Sequence, residues 1–395
     1  MELERQNPHW ENNFFYPFQK QRFIYEKLRS SVASGLITII FGLRRVGKSV
    51  AMKQLINEAI TNGSRREDIF YFSFDEKGED FWQVIREYES KIGRRVGKKT
   101  HLFLDEIQKV PDWKAKIKRL YDSSAPKLIL SGSNSSMLRK GTESLAGRAN
   151  EFLMPELGFR EFLHFRNKES LLGSPMKEEL ELSFWEYIQR PLPELVFNTN
   201  LDPKNYVKTI CKKILFEDMP SVFPIEDPFL LDKIFSLSCS NPGMLLDYTS
   251  LSSDLRRNRK TISLYVAYLN HGFLTREIFN YSNNSLTSEK RLKKLYPSLA
   301  CFVDADKSKI LETAVAQILK TKFFWNYKGR FEVDFVTANP LVGFEVKYKN
   351  NLASDDWKGL IKFKEVYPTA KMTLVSRSSA VNTVPFYLLE QHISI

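Results

Sequence analysis

The segment Gly42-Leu43-Arg44-Arg45-Val46-Gly47-Lys48-Ser49 follows G-x-x-x-x-G-K-[ST] without a gap, and its flanks are patterned to match. Before it, Leu36-Ile37-Thr38-Ile39-Ile40-Phe41 is an unbroken apolar run that predicts a buried parallel strand. After it, Met52, Leu55, Ile56, Ala59 and Ile60 recur at i, i+3, i+4, i+7 and i+8, the stripe of an amphipathic helix. Strand, glycine-rich turn and helix start form the context in which this motif cradles phosphate. Backbone amides from Gly42 to Val50 would hold the phosphates of ATP. Lys48, solvated while the site is empty, would reach the β- and γ-phosphates, and Ser49 would bind Mg²⁺. Gly93-Arg94-Arg95-Val96-Gly97-Lys98-Lys99-Thr100 only imitates the motif. It is one residue short between its glycines and is followed by a strand, so it is a basic connector.

Four further strand candidates end in polar residues. They are Ile69 to Phe74, His101 to Leu104, Lys127 to Leu130, and Phe152 to Met154. Alternating with helical stretches, they predict an α/β fold with a doubly wound parallel sheet, whose ligands sit beyond the carboxyl ends of the strands. At those ends, Asp105 is positioned to hold Mg²⁺, mostly through water, and Glu106 to orient or deprotonate an attacking water. Asn134, or Ser133, could touch the γ-phosphate. Arg148, ahead of the fifth strand, could supply positive charge to phosphoryl transfer from a neighbouring subunit. A salt bridge or a nucleotide-sensing loop is the alternative.

The motifs occur in a telling order. After the glycine loop come Leu104-Asp105-Glu106-Ile107-Gln108, Ser131-Gly132-Ser133-Asn134-Ser135, Leu145-Ala146-Gly147-Arg148 and Phe159-Arg160-Glu161-Phe162. Leu215-Phe216-Glu217-Asp218-Met219-Pro220 and Asn241-Pro242-Gly243 follow. Together they resemble the AAA+-like ATPases of archaea and bacteria that carry a C-terminal domain of uncertain function. The resemblance implies an ATPase core, a winged-helix segment and a nuclease-like fold at the end, and it assigns no biological role.

The rest of the chain divides on pattern into a helical linker or lid (166–225), a winged helix (226–300) and a small α/β region (301–395), after an ATPase domain at 1–165. In the winged-helix segment Ile262, Tyr265, Val266 and Leu269 share a helix face, and Leu274–Tyr281 with Leu292–Tyr296 would form the wing. The net charge of +12 is concentrated here. Residues 251–300 hold nine basic and three acidic side chains, a net of six. Arg256, Arg257, Arg259 and Lys260 at the helix entrance, and Lys290, Arg291, Lys293 and Lys294 on the wing, suit salt-sensitive contacts to DNA phosphates. A protein-docking module is the alternative.

In the last segment Glu345 and Lys347 alternate on one strand and so point together. Asp334 lies on the neighbouring strand, and Glu312 on a helix from Ile310 to Leu319. Glu312, Asp334, Glu345 and Lys347 look like the site of PD-(D/E)XK nucleases. There Asp334 and Glu345 would hold a second Mg²⁺, or Mn²⁺, and Lys347 would position water. Whether that site cuts is a separate question; the rival is an NTPase switch with a protein partner and a silent nuclease fold. Cys211, Cys239 and Cys301 form no metal knuckle or disulfide framework, and no apolar run approaches a membrane span, so a cytoplasmic location is expected. A homo-oligomer is possible wherever Arg148 acts between subunits.

Overall fold

The computed structural model describes residues 3–75, 80–132, 145–282 and 292–393. The chain forms two compact units, Met1–Glu156 and Leu157–Ile395.

The first unit is built on a five-stranded parallel sheet. Its strands are β1 (Ile37–Phe41), β2 (Ile69–Ser73), β3 (His101–Asp105), β4 (Lys127–Gly132) and β5 (Ala149–Leu153), in the order β2-β3-β4-β1-β5. β1 is buried at every position, which is why it reads as a continuous apolar run and not an alternation. The helices are α1 (Tyr25–Ser34), α2 (Lys48–Thr61), α3 (Phe81–Ile92) and α4 (Trp113–Ser124). On α2 the expected stripe is fully buried at Met52, Leu55 and Ile56 but only half-buried at Ala59 and Ile60. The fifth strand starts three residues earlier than its apolar pattern suggests. Its register against β1, Ile37 to Ala149 and Phe41 to Leu153, recruits the polar pair Asn150 and Glu151 at a sheet edge.

The second unit carries helices α5 (Phe159–Phe165), α6 (Lys177–Gln189), α7 (Pro203–Lys213), α8 (Pro228–Ser240), α9 (Tyr248–Leu255), α10 (Arg259–His271), α11 (Lys307–Leu319) and α12 (Lys358–Val366). Its mixed eight-stranded sheet contains β6 (Met244–Leu245), β7 (Thr275–Asn280), β8 (Lys293–Pro297), β9 (Phe323–Tyr327), β10 (Phe331–Ala338), β11 (Leu341–Val346), β12 (Lys371–Ser376) and β13 (Thr383–Pro385). They run in the order β13-β12-β11-β10-β9-β7-β8-β6.

The contacts divide the chain differently from the boundaries at 165, 225 and 300. α5 belongs with the second unit. Its Phe159 and Phe162 pack against Phe184 and Tyr187 of α6, and its first amides donate to the carboxylate of Glu390. The β7–β8 pair does not end as a free-standing wing. β7 pairs in parallel with β9, Phe279 to Phe323, and the Asn280 side-chain amide donates to the Asn326 carbonyl and accepts from its amide across that junction. An edge strand presents unpaired amides and carbonyls, and β9 satisfies them. Residues 226–300 and 301–395 therefore share one sheet. Among the described residues no helix is long and apolar enough to cross a membrane, and no disulfide joins the cysteines.

Candidate functional site

The glycine loop leaves β1 at Phe41 and enters α2 at Lys48. Gly42 cannot be replaced without distortion, since a Cβ there would lie 2.2 Å from the carbonyl oxygen of Met154. Gly47 sits at φ 100°, in the region that favours glycine, and Arg45 adopts φ 66°. Lys48 is not solvated. It is 5% exposed, and its Nζ donates to the carbonyls of Gly42 and Leu43 at 3.0 Å each. Burial of the ammonium without such acceptors would be costly.

Around Asp105 the structure assembles more than the sequence motif names. Ser49 Oγ donates to Asp105 Oδ2 at 2.6 Å and Tyr71 donates to the same oxygen at 2.8 Å. Ser131 and the backbone amide of Glu106 donate to Oδ1. Burial and the Asp105 charge push the Tyr71 phenol far up, so it stays a donor. Glu106 is half-buried, at φ 52°, and accepts from Gln108. A left-handed non-glycine residue at a strand end marks a constrained, site-like position. Ser49 and Asp105 offer hard oxygens side by side, which fits Mg²⁺. Tyr71 lies in a continuous apolar run, and Ser131 and Gln108 lie in strand-end motifs, so no local pattern marks the bonds they make here.

Ser133 and Asn134 lie outside the described residues. Arg148 lies at the other end of the sheet. Its carbonyl accepts from Ile37 at the start of β1, and its guanidinium pairs with Asp122 at 2.9 Å. The length of β1, about 13 Å at ~3.3 Å per residue, separates it from the start of its own glycine loop.

The second cluster gathers on β10 and β11. The antiparallel register Phe335 to Phe344 sets Asp334 opposite Glu345, next to a register shift between Val333 and Val336. Such bulges re-aim side chains beside functional sites. Asp334 Oδ2 accepts from the Val346 amide at 2.8 Å, and burial reinforced by the charges of Glu345 and Glu312 raises its pKa well above the usual carboxylate range. Burial also raises Glu345, against the pull of Lys347, whose Nζ lies 2.6 Å from Oε1; Oε2 of Glu345 is buried without a hydrogen-bond partner. Glu312 is held by the Tyr296 hydroxyl at 2.7 Å and by Lys309 at 2.8 Å. Among the described residues no three His, Cys, Asp or Glu side chains are placed to hold a metal. Asp334 and Glu345 face each other across the strand pair, and Glu312 is engaged by Tyr296 and Lys309.

The basic residues separate into two groups. Arg256, Arg257, Arg259 and Lys260 are exposed, with Arg257 paired to Asp227. Lys294 is 6% exposed, paired with Glu332 and stacked on Phe324, so it is a buried structural cation and not a phosphate contact. Lys293 pairs with Glu277 at 3.4 Å. Lys290 and Arg291 lie outside the described residues.

Residues 34–163 match the family model described as AAA domain, and residues 187–300 match a domain of unknown function. An uncharacterized protein of Haemophilus influenzae is 27% identical over 251 residues, 60% of this chain and 61% of its own length. The chain thus spans less than two thirds of that relative. An uncharacterized protein of Methanocaldococcus jannaschii is 25% identical over 80% of this chain and 76% of its own. Among solved structures, a Walker-type ATPase of Pyrococcus abyssi is similar at 13% identity and a TM-score of 0.41, covering 74% of this chain and 98% of that one. With its parallel sheet, its glycine loop and the family match over residues 34–163, the first unit has a P-loop fold similar to AAA domains.

Proposed function

We propose that this chain is a Mg²⁺-dependent ATPase whose C-terminal unit binds DNA and carries a nuclease-like site. The observation that carries the ATPase reading is the 2.6 Å contact between Ser49 and Asp105, beside a lysine already parked on the loop. The amides of Gly42 to Val50 bind the α- and β-phosphates. Lys48 exchanges its two carbonyl partners for β- and γ-phosphate oxygens. Ser49, and Asp105 mostly through water, would hold a magnesium ion, which would supply charge stabilisation to the phosphates. Glu106 takes the proton of the attacking water, and Asn134 contacts the γ-phosphate. Arg148 acts on a neighbouring subunit, and its position at the far end of the sheet supports that.

For the second unit, the succession α8, α9, α10 and the β7–β8 pair supports a winged-helix reading, and the exposed cations at 256–260 support DNA as partner. Asp334 opposite Glu345, with Lys347 beside them, supports the nuclease-like reading. One observation favours the rival, an ATP-driven switch with a protein partner and a silent nuclease fold: Lys309 and Lys347 already neutralise two of the three carboxylates. ATP turnover with and without DNA, plus cleavage of single-stranded, duplex and branched DNA in Mg²⁺ and Mn²⁺, separates the two. DNA-stimulated turnover with cutting that Asp334→Ala abolishes supports the first; turnover indifferent to DNA and no cutting support the switch.

A further inference from the structure

Arg22 lies outside every motif, yet it is 6% exposed and its guanidinium donates to three main-chain carbonyls. Nη1 donates to the carbonyl of Val46, inside the glycine loop. Nη2 donates to the carbonyls of Pro155 at 2.9 Å and Glu156 at 3.1 Å, the last two residues of the first unit. A second link runs in parallel. Met154 donates its amide to Phe41 at 2.7 Å, and its carbonyl presses so close to Gly42 that no side chain fits there.

The peptide joining Val46 to Gly47 is planar and trans, so its C=O and N–H point in opposite directions. Arg22 fixes the carbonyl, and thereby aims the Gly47 N–H away from itself. Gly47, at φ 100°, has no Cβ to hold that peptide in one orientation, so something outside the loop must fix it. A charge-assisted bond from a planar guanidinium is a strong and directional way to do this.

We infer that Arg22 is a positioning residue that pre-aims the Gly47 amide at the phosphates of the nucleotide and joins the state of that loop to residues 154–156, where the first unit ends. The inference rests on the nucleotide reading above. A ligand that pulls the Gly47 amide shifts the Val46 carbonyl, and the same guanidinium carries that shift to Pro155 and Glu156. Lysine cannot substitute, because one nitrogen does not span the three carbonyls.

The test is ADP binding by calorimetry, with amide hydrogen exchange at residues 153–156 measured with and without ADP, on the full chain and on Arg22→Lys and Arg22→Met. In the wild type, ADP changes exchange at 153–156. In both variants affinity falls about ten-fold, the scale of one charge-assisted hydrogen bond, and the ADP-dependent change in exchange is lost. A packing role alone would lower thermal stability while leaving that change in place. Should both variants fail to fold, the wild-type exchange decides: no ADP-dependent change at 153–156 overturns the coupling. If the wild type binds no ADP, the nucleotide reading falls with it. If it binds and Arg22→Lys binds equally tightly with the same change, only this inference is overturned.

Discussion

The hydroxyl of Ser49 and the carboxylate of Asp105, 56 positions apart in sequence, meet at 2.6 Å where the glycine loop faces the end of β3. The contact draws two motifs into one site and makes Asp105 the acceptor for three side-chain hydroxyls, those of Ser49, Tyr71 and Ser131.

Asp105→Ala should be destabilising as well as inactivating. It leaves those donors unpaired, at about 1–3 kcal/mol for each buried group, Tyr71 and Ser131, that finds no new partner. Ser49→Ala removes one donor and leaves Asp105 with the others, so it should cost under about 1 kcal/mol while abolishing the Mg²⁺ dependence of ATP affinity. Denaturant unfolding alongside ATP titrations with and without Mg²⁺ checks the contrast; equal stability losses would contradict it.

Lys48→Met should weaken ATP binding by more than ten-fold, because the ammonium is the loop's strongest charge for the phosphates. It should also alter the empty protein, since Lys48 now bridges Gly42 and Leu43. The expected sign is a lower melting temperature without nucleotide. A variant with wild-type melting and wild-type ATP affinity would show that the lysine is idle.

Arg148→Ala should leave stability nearly unchanged, because its pair with Asp122 is partly exposed and screened. Turnover should fall, with partial recovery when the variant is mixed with Lys48→Met, each contributing the half the other lacks. Asp122→Ala, which removes the holder of the guanidinium, should keep turnover. No recovery on mixing would leave Arg148 with a structural role only.

His9 gives the first unit an acid-sensitive point. It is fully buried, its Nε2–H donates to the carbonyl of Ile69, and its Nδ1 accepts from Tyr16. Burial holds its pKa down at about 4 against 6.5 for a free imidazole. The folded form therefore resists protonation. Its contribution is intact above pH 6.5 and falls as pH drops towards 4, by about 3 kcal/mol in total. His9→Gln should flatten the pH dependence of unfolding between 6.5 and 4 relative to wild type. An unchanged slope would contradict the assignment.

The strands and the motif residues of the first unit are legible because a parallel sheet demands continuous apolar runs, and phosphate loops demand glycine at fixed places. What supports those motifs is not. Tyr71, Ser131 and Arg22 reach the site through tertiary hydrogen bonds, which no local pattern records. In the second unit the helices 228–271 and the strand pair follow their periodicity, yet the sheet that joins β7 to β9 depends on a long-range pairing between residues 279–280 and 323–324. Lys294 shows the limit most sharply. A lysine in a basic stretch reads as a surface charge until Glu332 and Phe324 are seen to enclose it.

The most direct test is phosphate release from ATP by the wild type and Glu106→Gln, with Mg²⁺ present and after its removal by chelation, alongside ATP affinity for both. The account predicts Mg²⁺-dependent release by the wild type. It predicts wild-type affinity and at least about a hundred-fold slower release by the variant, since the amide keeps the shape but cannot take the proton. Release by Glu106→Gln at the wild-type rate, or no release by the wild type in Mg²⁺, would contradict it.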